Sequence, residues 1–235
     1  RIARAVHYDI SVTPDAKALR FVGEAGIDLE LYAPSATLTL NALDLSFASA
    51  SLTGADGKAI SLTVAIDAAA QTASFTAPAP LAPGKYRLTT RYTGTINTQA
   101  NGLFALDYPD KVTGNEVRGL FTQFEAPDAR RFVPSFDEPS YKATFTLAAT
   151  VPAGDLAVSN MPVANETPVA GGLKKVSFQI SPKMSSYLLF FATGHFERLA
   201  AKSAIYIRTD SSTARNAGAA SCRKTVAGPG TTNRR

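Results

Sequence analysis

The chain has 235 residues, 45% hydrophobic and 18% charged, which is enough apolar mass for one large β domain or two small ones and unlike a disordered chain. The single cysteine, Cys222, permits no internal disulfide. The two histidines, His7 and His195, are too few for a self-contained zinc site, so carboxylates alone would favour a harder ion such as calcium. The net charge of +5 does not point to nucleic acid. Seven of the basic residues lie in residues 201–235 against one acid, Asp210, while residues 1–200 hold 17 basic and 18 acidic groups. A nucleic-acid-binding face should be basic on the folded body. No apolar run approaches the roughly 20 residues that span a bilayer. Arg1 to Ile10 lacks the apolar stretch of a signal peptide. A start after a removed leader is equally compatible, so bacterial cytoplasm and export both stay open.

Along the chain, strand follows strand. Tyr8-Asp9-Ile10-Ser11-Val12 alternates, and the longer run Arg20 to Tyr32 sets Ile27, Leu29 and Leu31 against Asp28 and Glu30. Thr37 to Asn41, Leu43 to Phe47, Ile60 to Val64, Thr72 to Thr76 and Tyr86 to Tyr92 repeat the pattern. Such period-two alternation predicts half-buried antiparallel strands. Turns are expected at Thr13-Pro14-Asp15, Ala55-Asp56-Gly57-Lys58, Ala82-Pro83-Gly84-Lys85 and Ala170-Gly171-Gly172, since Asp-Gly and Pro-Gly supply hairpin chemistry. Further strands are predicted over Ala143–Val151, Leu156–Asn160 and Lys175–Ile180. Ser186 to Ala192 is a continuous apolar run that predicts a strand buried on both faces. No amphipathic helix is expected, and the fold class is all-β: an antiparallel saddle or sandwich. From about Thr209 the chain turns to Ser, Thr, Ala, Gly and Arg, with Val226 its one large aliphatic residue. The expected organisation is a β domain over 1–208 and a disordered tail over 209–235.

One segment breaks the plain β pattern. Thr122 to Pro139 packs Glu125, Asp128, Arg130, Arg131, Asp137 and Glu138 among Phe124, Phe132 and Phe136. Solvated loops seldom carry so many rings, and strands seldom so many charges. The mixture predicts rings packed inward and charges fixed against one another. On residues alone, Glu125 reads as an acid paired with Arg130 or Arg131. Arg130, Arg131, Asp137 and Glu138 read as structural, holding the loop that carries Glu125. Asp137 and Glu138 could suggest acid–base chemistry, but neighbours on a strand point to opposite faces and Pro139 suggests a rigid turn. His195-Phe196-Glu197-Arg198 lacks the spacing and second histidine of a His-Glu-x-x-His helix, so His195 and His7 read as ordinary strand residues. Asn165-Glu166-Thr167 is formally a glycosylation sequon of a kind common by chance, and Cys222 has no histidine nearby to activate it.

Thr122-Gln123-Phe124-Glu125-Ala126, Asp128-Ala129-Arg130-Arg131, Pro134, Phe136-Asp137-Glu138-Pro139 and Lys142-Ala143-Thr144-Phe145 resemble, in order, the N-terminal domain of the aminopeptidase N family of zinc metallopeptidases, bacterial members above all. Gly102-Leu103-Phe104, Ser159-Asn160-Met161 and Pro182 to Leu189 extend the resemblance over roughly residues 5–200. It implies a β saddle that caps a thermolysin-like catalytic domain. It also implies that Glu125 binds the free α-amino group of a peptide substrate and that Gln123 helps line the pocket for the first side chain. With the resemblance in view, the substrate-binding reading of Glu125 displaces the ion-pair reading. Zinc belongs to the full-length family; the chain contains neither His-Glu-x-x-His nor a Gly-Ala-Met-Glu-Asn segment. It is therefore expected to be inactive without a catalytic domain, and the Arg, Ala and Gly bias of its tail matches GC-rich DNA read out of frame. A stand-alone β-sandwich used for binding or scaffolding is the alternative.

Overall fold

The structure, a computed structural model, describes residues 2–110, 113–201 and 204–208; the tail over 209–235 lies outside the described residues. In chain order the strands are β1 (Ala3–Asp15), β2 (Arg20–Leu31), β3 (Ser35–Asn41), β4 (Leu45–Thr53), β5 (Ala59–Ser61), β6 (Thr63–Asp67), β7 (Thr72–Leu81), β8 (Gly84–Thr95), β9 (Gly102–Pro109) and β10 (Glu116–Gln123). After a 3-10 helix at Asp128–Arg131 come β11 (Thr144–Pro152), β12 (Leu156–Ser159), β13 (Val163–Val169) and β14 (Leu173–Phe178). A second 3-10 helix at Ser186–Leu188 precedes β15 (Phe191–Gly194), β16 (Glu197–Ala201) and β17 (Ala204–Arg208). No helix among the described residues is long and apolar enough to cross a membrane.

Three sheets build the body. An eight-stranded sheet runs β13-β14-β11-β1-β2-β8-β4-β5, a four-stranded sheet β12-β15-β10-β9 and a three-stranded sheet β3-β7-β6. The expected all-β fold is present and nearly every pairing is antiparallel. The exception is β1 with β11, which run parallel from His7 opposite Thr144 to Val12 opposite Ala149.

Alternation decides which face each strand buries. On β1 and β2 it buries Tyr8, Ile10, Val12, Ala25, Ile27, Leu29 and Leu31, and on β11 Phe145, Leu147, Ala149 and Val151. This inner face joins Leu38, Leu40 and Phe75 of the three-stranded sheet, and Leu103, Leu120 and Phe124 beside the four-stranded sheet, in one continuous core. Aromatic pairs tie the layers: Phe47 meets Phe75 edge-on at 5.3 Å, Phe21 lies 5.5 Å from Phe132, and Phe132 lies 5.4 Å from Phe124. The outer face of the large sheet carries the charges that alternation leaves there. Arg87 bridges Asp28 at 2.8 Å and also Asp9, Arg91 meets Glu24 at 2.8 Å, and Arg4 meets Glu30 at 2.7 Å.

Several local expectations shift. The turn expected at Thr13-Pro14-Asp15 lies later, because β1 continues through Pro14 to pair with Phe21, and the chain reverses at residues 16–19, where Leu19 takes a positive φ of 52°. The other three expected turns lie at or between strand ends. Leu43 and Asp44 stay outside β4, with Asp44 at φ 57°. The apolar run Ser186–Ala192 is not a single strand buried on both faces. Its first turn is the 3-10 helix, and Leu188 and Phe190 are 49% and 37% exposed.

Candidate functional site

The candidate site grows from the end of β10. Thr122 is fixed from inside: its hydroxyl donates to the Phe191 carbonyl at 3.2 Å and accepts from the Phe191 N–H at 2.8 Å. Phe124 continues inward and is buried. The intervening Gln123 and the following Glu125 are exposed, so Gln123 and Glu125 share the outward side of the strand and its extension. The Asp128 N–H donates to the Phe124 carbonyl at 3.1 Å and closes a turn that Glu125 opens; the Glu125–Ala126 peptide is cis. Opposite Gln123 stands Gly102, at φ 62°. A Cβ there would lie 2.9 Å from Cβ of Arg131, so only glycine lets the arginine stem pass and keeps the left-handed backbone without strain.

Both arginines of the loop are committed elsewhere than to Glu125. Arg130 grips Asp137 through two hydrogen bonds of 2.8 and 2.9 Å and donates to Oε1 of Gln71 at 2.9 Å. Arg131 pairs with Asp128 at 2.8 Å and also with Asp44. Glu125 has no hydrogen-bonding or ionic partner among the described residues. A fork-to-carboxylate contact is the strong form of a charged hydrogen bond, and the one at Asp137 is buried, with 1% of that side chain and 17% of Arg130 exposed.

The loop rests on a frame of mostly buried polar contacts. Nδ2 of Asn41 donates to Asp137 at 2.6 Å and to Glu138 at 3.3 Å, while the Asn41 and Ser135 backbones bond reciprocally at 2.8 and 3.0 Å. The Arg130 carbonyl accepts from Leu43 N–H at 3.0 Å. The Tyr92 hydroxyl donates to the Phe132 carbonyl at 2.9 Å, and burial pushes its phenol pKa up. The Tyr8 hydroxyl accepts from the Phe136 N–H at 3.1 Å. Asp137 and Glu138 belong to no strand, and Asn41 reaches both, so the expectation that they diverge to opposite faces is replaced by a shared partner. Asn41, Asp44, Gln71 and Tyr92 are framing residues that sequence reasoning missed, because nothing local marks a residue that reaches this loop from so far along the chain.

The remaining titratable clusters lie elsewhere. On the outer face of the large sheet His7 sits between Thr144, at 2.7 Å, and Asp9, at 3.1 Å. Partial burial pushes the Asp9 carboxyl up, but hydrogen bonds from Thr146, Arg87 and His7 outweigh it and hold it at about 2. His195 lies 3.5 Å from Asp155, whose pKa is raised by burial despite His195 and Lys174 nearby. Among the described residues no three His, Cys, Asp or Glu side chains gather as a metal centre. The donors gathered among the described residues do not fit a zinc ion.

Comparison with known proteins finds relatives for most of the chain. The model of the Peptidase M1 N-terminal domain matches residues 4–188. The chain is 39% identical over 189 residues to an aminopeptidase N of Acetobacter pasteurianus, covering 80% of this chain and 52% of that protein. It is 37% identical over 202 residues to a puromycin-sensitive aminopeptidase of Caenorhabditis elegans, covering 85% of this chain and 21% of the relative. Aminopeptidase M1-D of Oryza sativa subsp. japonica is likewise 37% identical, with 84% and 22% covered. The chain thus spans about half the length of the first relative and about a fifth of the others. The family match over residues 4–188, with these relatives, places this chain in the peptidase M1 family, with those residues as its N-terminal domain.

Proposed function

We propose that this chain is the substrate-anchoring N-terminal domain of a zinc-dependent aminopeptidase that removes single residues from peptide N-termini. Glu125 receives the α-ammonium group of the peptide, and Gln123 borders its first side chain. The observation that carries this reading is the state of Glu125: exposed in the turn after β10 and unpaired among the described residues, while both neighbouring arginines are engaged by other groups. A carboxylate left without a cation is free to take one from outside. An ammonium group would meet it through charge-assisted hydrogen bonds, and the neutral Gln123 amide can donate or accept without adding a competing charge.

In open water such a pair is worth only about 0–1 kcal/mol. The anchor gains strength when a second surface covers it and lowers the local dielectric. Leu188 and Phe190 offer apolar area for that covering surface, because they are exposed just before β15, the neighbour of β10. Hydrolysis itself, zinc-dependent in the family, belongs on this reading to the catalytic domain that would meet this face. An exposed patch of this kind is what a contact surface leaves when viewed alone.

The test is a graft. Residues 4–188 replace the corresponding domain of the Acetobacter aminopeptidase N, and hydrolysis of fluorogenic aminoacyl substrates is followed. In the graft, Glu125→Gln should lower kcat/KM by about a hundredfold or more, the scale of losing one partner of a desolvated charge pair. Unchanged kcat/KM in that variant would overturn the anchoring role and favour a stand-alone binding or scaffolding module.

A further inference from the structure

Gln123 does not stand alone on its face of the four-stranded sheet. The register sets Gln123 opposite Gly102, Phe121 opposite Phe104, Gly119 opposite Leu106 and Val117 opposite Tyr108. Alternation sends Leu120, Thr122 and Leu103 into the core, so Gln123, Phe121, Phe104, Leu106 and Tyr108 share the other side. The rings of Phe104 and Phe121 lie 5.9 Å apart, and Phe196 folds back to lie 5.6 Å from Phe121. Leu106 is 51% exposed, and the three phenylalanines are half-buried. Two glycines let this layer lie flat. A Cβ on Gly119 would come within 2.9 Å of the Phe121 ring, and one on Gly194 within 3.1 Å of the Gly119 backbone and 3.2 Å of the Phe196 ring. Glycine inside a strand commonly marks such a close approach.

This apolar strip begins one alternation step, about 7 Å, from Gln123 and runs away from Glu125. A peptide held by its amine at Glu125, with its first side chain bordered by Gln123, directs that side chain onto Phe121 and Phe104. We propose that Phe121, Phe104 and Phe196 form an aromatic floor for the first side chain, so that this chain favours peptides beginning with a large apolar or aromatic residue. The inference rests on the anchoring role of Glu125 and Gln123 and adds the specificity. Aromatic partners fit the floor because rings meet well in offset or edge-to-face contact, and Arg131, whose stem passes Gly102 at the head of the strip, is already paired with Asp128 and Asp44.

The test uses the 235-residue chain and NMR titration with phenylalanine amide, alanine amide and N-acetyl-phenylalanine amide, reading ring-current shifts at Phe104, Phe121 and Gln123. Phenylalanine amide should bind about tenfold more tightly than alanine amide, the effect of covering about half of a large apolar side chain. Phe121→Ala should erase that preference while alanine amide binds as before, and Phe121→Leu should keep most of it. Thermal unfolding checks that each variant is folded. Equal binding of the two free amides, both lost in Glu125→Gln, would overturn the floor and leave the anchor standing. Equal binding of the acetylated and free phenylalanine amides would keep the floor and sink the anchor.

Discussion

Asp137 and Glu125 are carboxylates of one loop, and their surroundings differ in everything that decides what a charge can do. Asp137 is buried, gripped by the Arg130 fork and capped by Asn41, so its charge is consumed by the fold. Glu125 stands on the solvent side of the same loop with both arginines engaged elsewhere. A loop dense in charge is thus divided into a lower layer that is neutralised pair by pair and an upper carboxylate that is not. The lower layer fixes where the upper one stands, and the upper one is left for a partner.

The comparison is broken most forcefully from below. Asp137→Ala strands the Arg130 guanidinium beside Asn41 and Gln71, and removing one partner of a buried ion pair costs about 3–5 kcal/mol. Urea unfolding should show a loss of that size, and a loss under about 1 kcal/mol would mean that the loop is not held by this pair. A third charged region, the outer face of the large sheet, sharpens the contrast through pH. Asp9 is held at about 2, below its ordinary 3.8. It therefore contributes stability above about pH 4 and loses that contribution as pH falls from about 4 to about 2. Its side chain is 45% exposed, so solvent screening keeps the effect below about 1 kcal/mol. Asp9→Asn should flatten this part of the stability–pH curve, and an unchanged slope would assign the acid sensitivity elsewhere. The smallest effect belongs to Glu125→Gln, which should leave stability within about 0.5 kcal/mol of the parent. A larger loss would show that Glu125 serves the fold after all.

Much of the sheet architecture was legible because alternation is local. Ile27, Leu29 and Leu31 against Asp28 and Glu30 read correctly from spacing alone, and their burial follows it. The run from Ser186 to Ala192 did not, because an apolar stretch says nothing about which of its residues the fold leaves outside, here Leu188 and Phe190. Strands β9 and β10 escaped notice since Gly102, Gly119 and the charges flanking them interrupt the pattern. At the site, the crowding of opposite charges was visible, but the partners were not. Gln71, Asn41 and Asp44 reach the loop from the three-stranded sheet and its flanks, and no periodicity encodes a contact across that separation. The exposed state of Glu125 is equally a property of the assembled loop.

The parallel pairing of β1 with β11 has a consequence in time. A chain made from its N-terminus forms β1 and β2 early as a hairpin, yet the other edge of β1 waits until residues 144–149 have emerged. The loop from Thr122 to Pro139 falls inside that interval. Long-range pairings of this kind slow folding, because the entropy of closing the intervening chain is lost before the contact forms. Until that strand closes, β1 keeps an open edge, and any mutation that delays the closing leaves that edge available to foreign strands in the meantime.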